Sequence, residues 1–275
     1  MEGRKFTRVL LDEATQATEP ASLVPLVRGA RQIVLVGDHR QLPPTVISRR
    51  AENGGLRRSL FERLVAMGIE PMILDTQYRM HPAISDFPNR TFYEGRLVDG
   101  ITAADRPNPA GLLWNDWEVP MAFLPVNGDE LLSPDGASKE NPAEAGWVAK
   151  ILENLLQAGD LEETDIGIIT PYAGQVRAIR DALPERNDSV EVHTVDGYQG
   201  REKEVIIFSC VRSNSDGIVG FLSDARRLNV ALTRAKRGLI VIGDPDTLRN
   251  DETWASWLDY IRSRNLEAWH ILGMG

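Results

Sequence analysis

The stretch Arg8-Val9-Leu10-Leu11-Asp12-Glu13 constrains the fold more than any other in the chain. Three apolar residues run straight into two adjacent carboxylates. An unbroken apolar run is how a parallel strand buried on both faces reads, and its carboxyl end is where open α/β sheets present polar groups to ligands. Two neighbouring acids at such an edge can hold a Mg²⁺ ion and polarise a water for attack on a phosphate. Residues 32–38, Gln-Ile-Val-Leu-Val-Gly-Asp, repeat the plan. The two runs together predict a parallel α/β fold.

Between them, residues 19–26 predict a short helix on the sheet face. After the second run comes the loop Gly37-Asp38-His39-Arg40-Gln41-Leu42-Pro43-Pro44, where the Gln41 amide could sense a terminal phosphate. Apolar positions 56, 60, 61, 64, 65 and 67 recur at helical spacing, and Gly68 is a natural stop. Two strands and two helices do not close an α/β domain. No Gly-x-x-x-x-Gly-Lys-Ser/Thr occurs anywhere in the sequence. Residues 1–68 therefore read as the rear part of a domain whose front is absent, and residues 69–275 as a second, complete α/β domain. Strands are expected at 72–75, 121–126, 165–170, 190–194, 205–211 and 239–243. Helices are expected at 141–157, 173–183 and 224–236. The first of these carries its own start signal, Asn141 as N-cap, Pro142 at N1 and Glu144 at N3, with Gly159 as its stop. Strand–helix alternation implies a parallel sheet flanked by helices.

The net charge of −9 argues against binding nucleic acid by a bulk positive field, but leaves room for a groove with a local basic lining. The one cysteine, Cys210, rules out an internal disulfide framework and a Cys-based zinc module, and reads as a buried small hydrophobe. Trp114, Trp117, Trp254 and Trp257 read as packing residues. No apolar run approaches the ~20 residues a membrane span needs. No apolar leader follows Met1. An intracellular protein, cytoplasmic or nuclear, is expected.

Three polar constellations follow. Gln77-Tyr78-Arg79-Met80-His81-Pro82 joins a planar guanidinium fork, suited to phosphate oxygens, to an aromatic face suited to a base. It is expected at the same sheet edge as Asp12 and Glu13. Tyr78 packed in the core and Arg79 in an ion pair are the alternative. In residues 193–202, His-Thr-Val-Asp-Gly-Tyr-Gln-Gly-Arg-Glu, Gly197 and Gly200 would let the backbone approach a phosphate, and Glu202 could accept from ribose hydroxyls. In residues 228–236, Arg234 lies near the end of a predicted helix. A second arginine on the same phosphate would supply transition-state charge.

With these pieces in this order, the sequence resembles the superfamily-one nucleic-acid helicases, in the branch of the nonsense-mediated-decay helicase and senataxin. Asp12-Glu13-Ala14 resembles the Walker B box, and residues 37–44 resemble the phosphate-sensing motif. Residues 77–82, Thr170-Pro171-Tyr172 with Gln175, residues 193–202 and residues 229–236 resemble the remaining motifs in family order. The resemblance implies a RecA-like P-loop NTPase architecture and ATP and Mg²⁺ as cofactors. It implies a 5′-3′ type helicase or translocase acting on single-stranded RNA or DNA. By it, Asp12 would hold Mg²⁺ and Glu13 would be the base for the attacking water. Gln41, Arg79 and Arg234 would reach the γ-phosphate, Tyr78 would stack near adenine, and Gly200 and Glu202 would line the nucleotide site. Thr170, Pro171, Tyr172, His193 and Thr194 would lie along the nucleic acid. The family's phosphate-cradling loop should precede Asp12, where only eleven residues stand. The chain is accordingly expected to be part of a larger parent, inactive alone, and prone to associate through an exposed sheet edge. A non-catalytic helicase-like module that grips nucleic acid or a protein is the alternative. Another kind of P-loop enzyme, such as a nuclease-coupled ATPase, is a third reading, which no extra carboxylate cluster supports.

Overall fold

A computed structural model describes residues 5–272 of the chain; the side chain of Arg186 is also outside the description. The chain divides into two compact units, residues 1–74 and 75–275.

In the first unit, β1 (Arg8–Leu11) is followed by α1 (Glu19–Leu26), β2 (Gln32–Leu35), α2 (Arg49–Asn53) and α3 (Leu60–Ala66). β1 and β2 pair in parallel, Val9 opposite Ile33 and Leu11 opposite Leu35. The sequence leads one to expect strands buried on both faces, yet Leu10 is 67 % exposed and Val34 53 %. Among the described residues no layer covers those positions. α3 is shorter than residues 56–67. Ser59 caps it, its hydroxyl accepting from Glu62 N while the Glu62 carboxylate accepts from Ser59 N, so the helix starts after Leu56. α2 had no apolar periodicity to announce it.

The second unit begins with β3 (Thr76–Gln77), α4 (Pro82–Phe92) and β4 (Val98–Asp99). β5 (Met121–Pro125), the hairpin β6 (Leu131–Leu132) and β7 (Lys139–Glu140), and α5 (Pro142–Gln157) follow. Then come β8 (Ile166–Thr170), α6 (Ala173–Ala182), β9 (Glu191–Thr194), β10 (Lys203–Ser209), α7 (Ala225–Leu232), β11 (Ala235–Gly243), α8 (Pro245–Leu248) and α9 (Glu252–Ser263). Among the described residues, five parallel strands form the main sheet in the order β5-β11-β10-β8-β9. This parallel sheet flanked by helices is the RecA-like α/β layout expected.

Alternation along β10 shows how the layers form. Ile207 joins Ile151, Leu152, Leu155 and Ile179 of α5 and α6 on one face. Its neighbour Phe208 stacks on Trp254 of α9, with ring centroids 6.1 Å apart, on the other. Trp257 packs edge-on against Phe123 of β5 at 5.5 Å. Cys210 is buried, and Trp114 is buried while Trp117 is exposed.

Two expected elements fall elsewhere, and one helix was not expected. Residues 72–74 form no strand; Met72 and Leu74 are 92 % and 84 % exposed, and pairing starts only at Thr76, with Val98. The helix expected through residue 236 ends at Leu232, because β11 must begin at Ala235 to pair with β10. α4, unread in the sequence, starts on His81 with Pro82 at N1 and tolerates Pro88 within it.

Candidate functional site

In the first unit the loops after β1 and β2 are locked together. Ala14 N donates to Val36 O at 2.8 Å, and Gly37 lies so close to buried Thr15 that an added Cβ would sit 3.0 Å from Thr15 N and Oγ1. Asp12 and Glu13 thereby stand at the same carboxyl edge as Asp38 and Gln41. Glu13 adopts φ +50°, a left-handed conformation costly for a residue with a Cβ. Its amide donates to Asp12 Oδ1 at 2.9 Å, and its carboxylate accepts from Gln16 Nε2 at 2.5 Å. The Asp38 carboxylate accepts from Arg40 N and Gln41 Nε2, both at 2.9 Å. Asp12 and Glu13 are exposed hard-oxygen donors. Among the described residues no group of three or more His, Cys, Asp or Glu could hold a metal. Asp12 and Glu13 alone would still suit Mg²⁺ bound in the usual way, by one or two carboxylates with the remaining ligands from phosphate and water.

In the second unit the sequence suggests a carboxyl edge for Arg79 and no particular edge for Glu202 or Arg234. The structure places all three at the amino edge of the five-stranded sheet. β10 starts at Lys203 and β11 at Ala235, so Glu202 and Arg234 immediately precede their strands, and Lys203 N donates to Arg234 O at 3.1 Å. The segment 195–202 explains the placement. It must run back across the sheet to let β10 lie parallel to β8, and Tyr198 covers Gly167 of β8 on the way. A Cβ on Gly167 would meet the Tyr198 hydroxyl oxygen at 2.0 Å. Tyr198 is fully buried, and burial pushes its hydroxyl up out of the ordinary phenol range. Gly200 takes φ +78° at the exposed end of this segment.

Arg79 reaches this edge from the turn after β3. Gln77 shapes that turn, its Oε1 accepting from Arg79 N and Met80 N at 2.9 and 2.8 Å. Arg106 pins it by donating to the carbonyls of Tyr78 and Arg79. Arg79 Nε donates to Glu202 Oε2 at 2.5 Å and Nη1 to Thr233 O at 3.0 Å. Lys236 lies 3.5 Å from Glu202 Oε1. Burial raises the Glu202 carboxyl, but the Arg79 bond and the charges of Arg79 and Lys236 outweigh it and leave it below the ordinary range. Arg234 is 2 % exposed and donates to Val230 O and Thr233 Oγ1 at 3.2 and 3.0 Å. Tyr78 is 64 % exposed, its ring lying over Gly100, so the packed-core alternative for it fails. The ion-pair alternative for Arg79 is realised.

The residues read as nucleic-acid contacts lie at the carboxyl edge. Thr170, Pro171 and Tyr172 are all buried; Thr170 is 0 % exposed and offers a strand no surface, while Tyr172 at 5 % keeps a small exposed edge. His193 and Thr194 end β9 and are half-buried; burial, then the charge of Arg201, lowers the His193 pKa. Gln175 is also buried and donates to Asn141 O and Ser209 Oγ, so it holds the fold together. The sequence missed Arg106, Lys236, and the ion pair of Arg212 with Glu130 at 2.7 Å. No spacing signal links residues that far apart.

A family profile described as an AAA domain matches residues 56–246, and a second AAA-domain profile matches residues 1–49. The chain belongs to the AAA-domain family. This AAA-domain chain is 46 % identical over 269 residues to the regulator of nonsense transcripts 1 homolog of Drosophila melanogaster, covering 95 % of this chain and 23 % of the relative. It is 45 % identical over 269 residues to the ATP-dependent helicase NAM7 of Saccharomyces cerevisiae, covering 94 % and 28 %. It is 46 % identical over 258 residues to the ATP-dependent helicase upf1 of Schizosaccharomyces pombe, covering 91 % and 28 %. These identities bear out the resemblance to the nonsense-mediated-decay helicases. The chain spans about a quarter of the length of these relatives. Among solved structures, the PRRSV helicase aligns with a TM-score of 0.43 and 18 % identity over 86 % of this chain and 34 % of that one. No helix among the described residues is long and apolar enough to cross a membrane.

Proposed function

We propose that this chain is the part of an ATP-dependent, 5′-3′ type helicase or translocase that carries water activation and phosphate sensing in its first unit and strand contact in its second. The observation that carries the reading is the contact of Arg79 with Glu202 and Thr233. Side chains and backbone 123 and 154 residues apart meet at one sheet edge, although nothing in a bare α/β fold requires them to. Glu13 would take the proton of the attacking water, with Gln41 orienting that water against the γ-phosphate. Asp12 would hold the Mg²⁺, which would supply charge neutralisation at the phosphates when bound. Arg79 and Arg234 would donate to the γ-phosphate oxygens, Tyr78 would lie against adenine, and Gly200 and Glu202 would border the ribose. Arg79 must leave Glu202 to do so, and a partly exposed ion pair is weak enough to exchange for a triphosphate. Single-stranded RNA or DNA would run along the carboxyl edge past Tyr172, His193 and Thr194. The intracellular location expected from the sequence goes with this reading.

Charge-assisted contacts to phosphate contribute roughly 1.5–3 kcal/mol each, and no phosphate-cradling lysine loop occurs in the sequence. The chain alone is therefore expected to bind ATP weakly and to turn it over far below about 1 s⁻¹, the low end of ordinary enzyme turnover. The test is RNA-stimulated ATPase with an upstream Gly-x-x-x-x-Gly-Lys-Ser/Thr segment restored. Restored protein should hydrolyse ATP, and Glu13→Gln in it should abolish turnover while nucleotide binding persists. Restored protein that binds RNA but stays inert would instead favour a non-catalytic module.

A further inference from the structure

Burial of Thr170 and Pro171 leaves open what a strand would touch at the carboxyl edge. The structure offers a cavity there, of about 530 Å³, bordered by Leu132, Ser138, Lys139, Tyr172, Arg212 and Phe221. That volume lies in the range of sites for small ligands. We infer that it receives one base of a bound single strand, with the adjoining phosphate toward Arg212 and Lys139; this rests on the function proposed above.

The lining argues for that occupant. Phe221 is 57 % exposed, a large aromatic left at a concave surface. It is steadied by the Tyr172 ring at 5.4 Å and 42°, and by the Arg227 guanidinium 5.4 Å from its centroid. An aromatic platform of fixed orientation is what sequence-tolerant base stacking uses. Lys139 and Arg212 are the charged residues of the lining, and both are cationic, on a chain whose net charge is −9. Glu130 neutralises one of them from behind. It contacts Lys139 Nζ and Arg212 Nε at 2.7 Å each, and burial, which would raise its carboxyl, is outweighed by these donors so that it falls to about 2. Lys139, Arg212 and Glu130 together carry one net positive charge, and the Lys139 side chain is the more exposed of the two cations at 33 %. Gly220 keeps the pocket's form. At φ +64° it lets the backbone pass where a Cβ would lie 2.0 Å from Arg212 Nη1 and 2.7 Å from the Tyr172 hydroxyl oxygen. Arg212 Nη1 in turn donates to that hydroxyl at 3.2 Å, which orders the guanidinium before any ligand arrives.

The test uses the full chain and two labelled probes read by fluorescence anisotropy, decameric oligouridylate and an abasic ribose-phosphate decamer. Phe221→Ala should weaken oligouridylate binding roughly tenfold, the scale of one lost stack, and leave the abasic decamer unchanged. Leu132→Glu, at a 66 % exposed position, should weaken both probes by adding an anion beside the phosphate path. The inference is overturned if Phe221→Ala binds oligouridylate like the wild type, or loses both probes equally. It is overturned equally if Leu132→Glu binds both unchanged, which would leave the cavity to an apolar peptide. Wild-type chain that binds neither probe up to about 100 μM, the weak end of non-specific affinity, would sink the strand-binding function itself and the pocket with it.

Discussion

Glu144 is the residue whose position is hardest to reconcile with its chemistry. It is fully buried one turn into α5, where its carboxylate accepts from Ser209 Oγ at 2.6 Å and from Val211 N at 2.9 and 3.0 Å. Burial raises it, three donors oppose, Asp244 adds repulsion, and the outcome is a carboxyl pushed up to about 8 from 4.5. Between those two pH values unfolding releases a proton, so stability should fall as pH rises from 4.5 to 8 and then level off. Glu144→Gln removes the titration. Its melting temperature should fall less than the wild type's across that window, by on the order of 5 °C. Parallel thermal profiles for the two proteins would show that Glu144 does not titrate there. The site was only half legible in the sequence for the same kind of reason. Asn141, Pro142 and Glu144 announced a helix start, and Asn141 Oδ1 does accept from Glu144 N at 3.1 Å. Spacing says nothing of where a side chain turns, and the Glu144 carboxylate turns inward to a strand 65 residues away. Arg79 and Glu202 were recognised by type, but their pairing, and the edge on which they pair, came only with the path of residues 195–202.

At the scale of elements, α4 shows how a helix escapes the usual signals. Two prolines and a histidine cap hide it. His81 is 3 % exposed and its Nδ1 accepts from Ala83 N at 3.1 Å, so the imidazole must be neutral on that atom. Burial lowers its pKa, with the Asp99 charge opposing. The folded protein thus resists a proton that the unfolded chain accepts near 6.5, and stability should be lost as pH falls through that value. His81→Asn keeps a capping oxygen without a titration, so the mutant should lose less stability than the wild type between about pH 7 and 5.5. The Glu144 effect runs the other way in this window, which makes the sign of each difference diagnostic. A His81→Asn profile as steep as the wild type's would remove the histidine from the account. The strand expected at residues 72–75 failed for a related reason. An apolar run records that a stretch can be covered, and Met72 and Leu74 show that cover and pairing need not follow. β8, β10 and β11 were legible because each is paired on both edges and buried on both faces, so pattern and environment agree.

For the whole molecule, the two units differ in how much of their backbone is protected. In β10, Val205, Ile206, Ile207 and Phe208 are all fully buried, and the strand is bonded on both sides, to β8 and β11. In β1, Val9 is the buried member, and in β2 every residue is exposed or half-exposed. Opening free energy scales with the apolar surface and hydrogen bonds released locally. Amides of β1 and β2 should then exchange with solvent orders of magnitude faster than those of β10 and β11, and heating should release the first unit before the second. Hydrogen exchange read by mass spectrometry checks this. Uniform protection across residues 8–35 and 203–243 would mean that something covers β1 and β2 in solution. Self-association through the exposed apolar strands is the physical candidate, because an uncovered parallel pair is a template for further pairing. Dilution separates the cases. Protection of residues 8–35 that disappears at low protein concentration identifies association, whereas protection independent of concentration contradicts the exposure seen at Leu10 and Val34. Adding an upstream Gly-x-x-x-x-Gly-Lys-Ser/Thr segment should slow exchange in β1 and β2 at every concentration and leave β10 unchanged. That pattern would tie cover of β1 and β2 to the same added segment that the ATPase test uses.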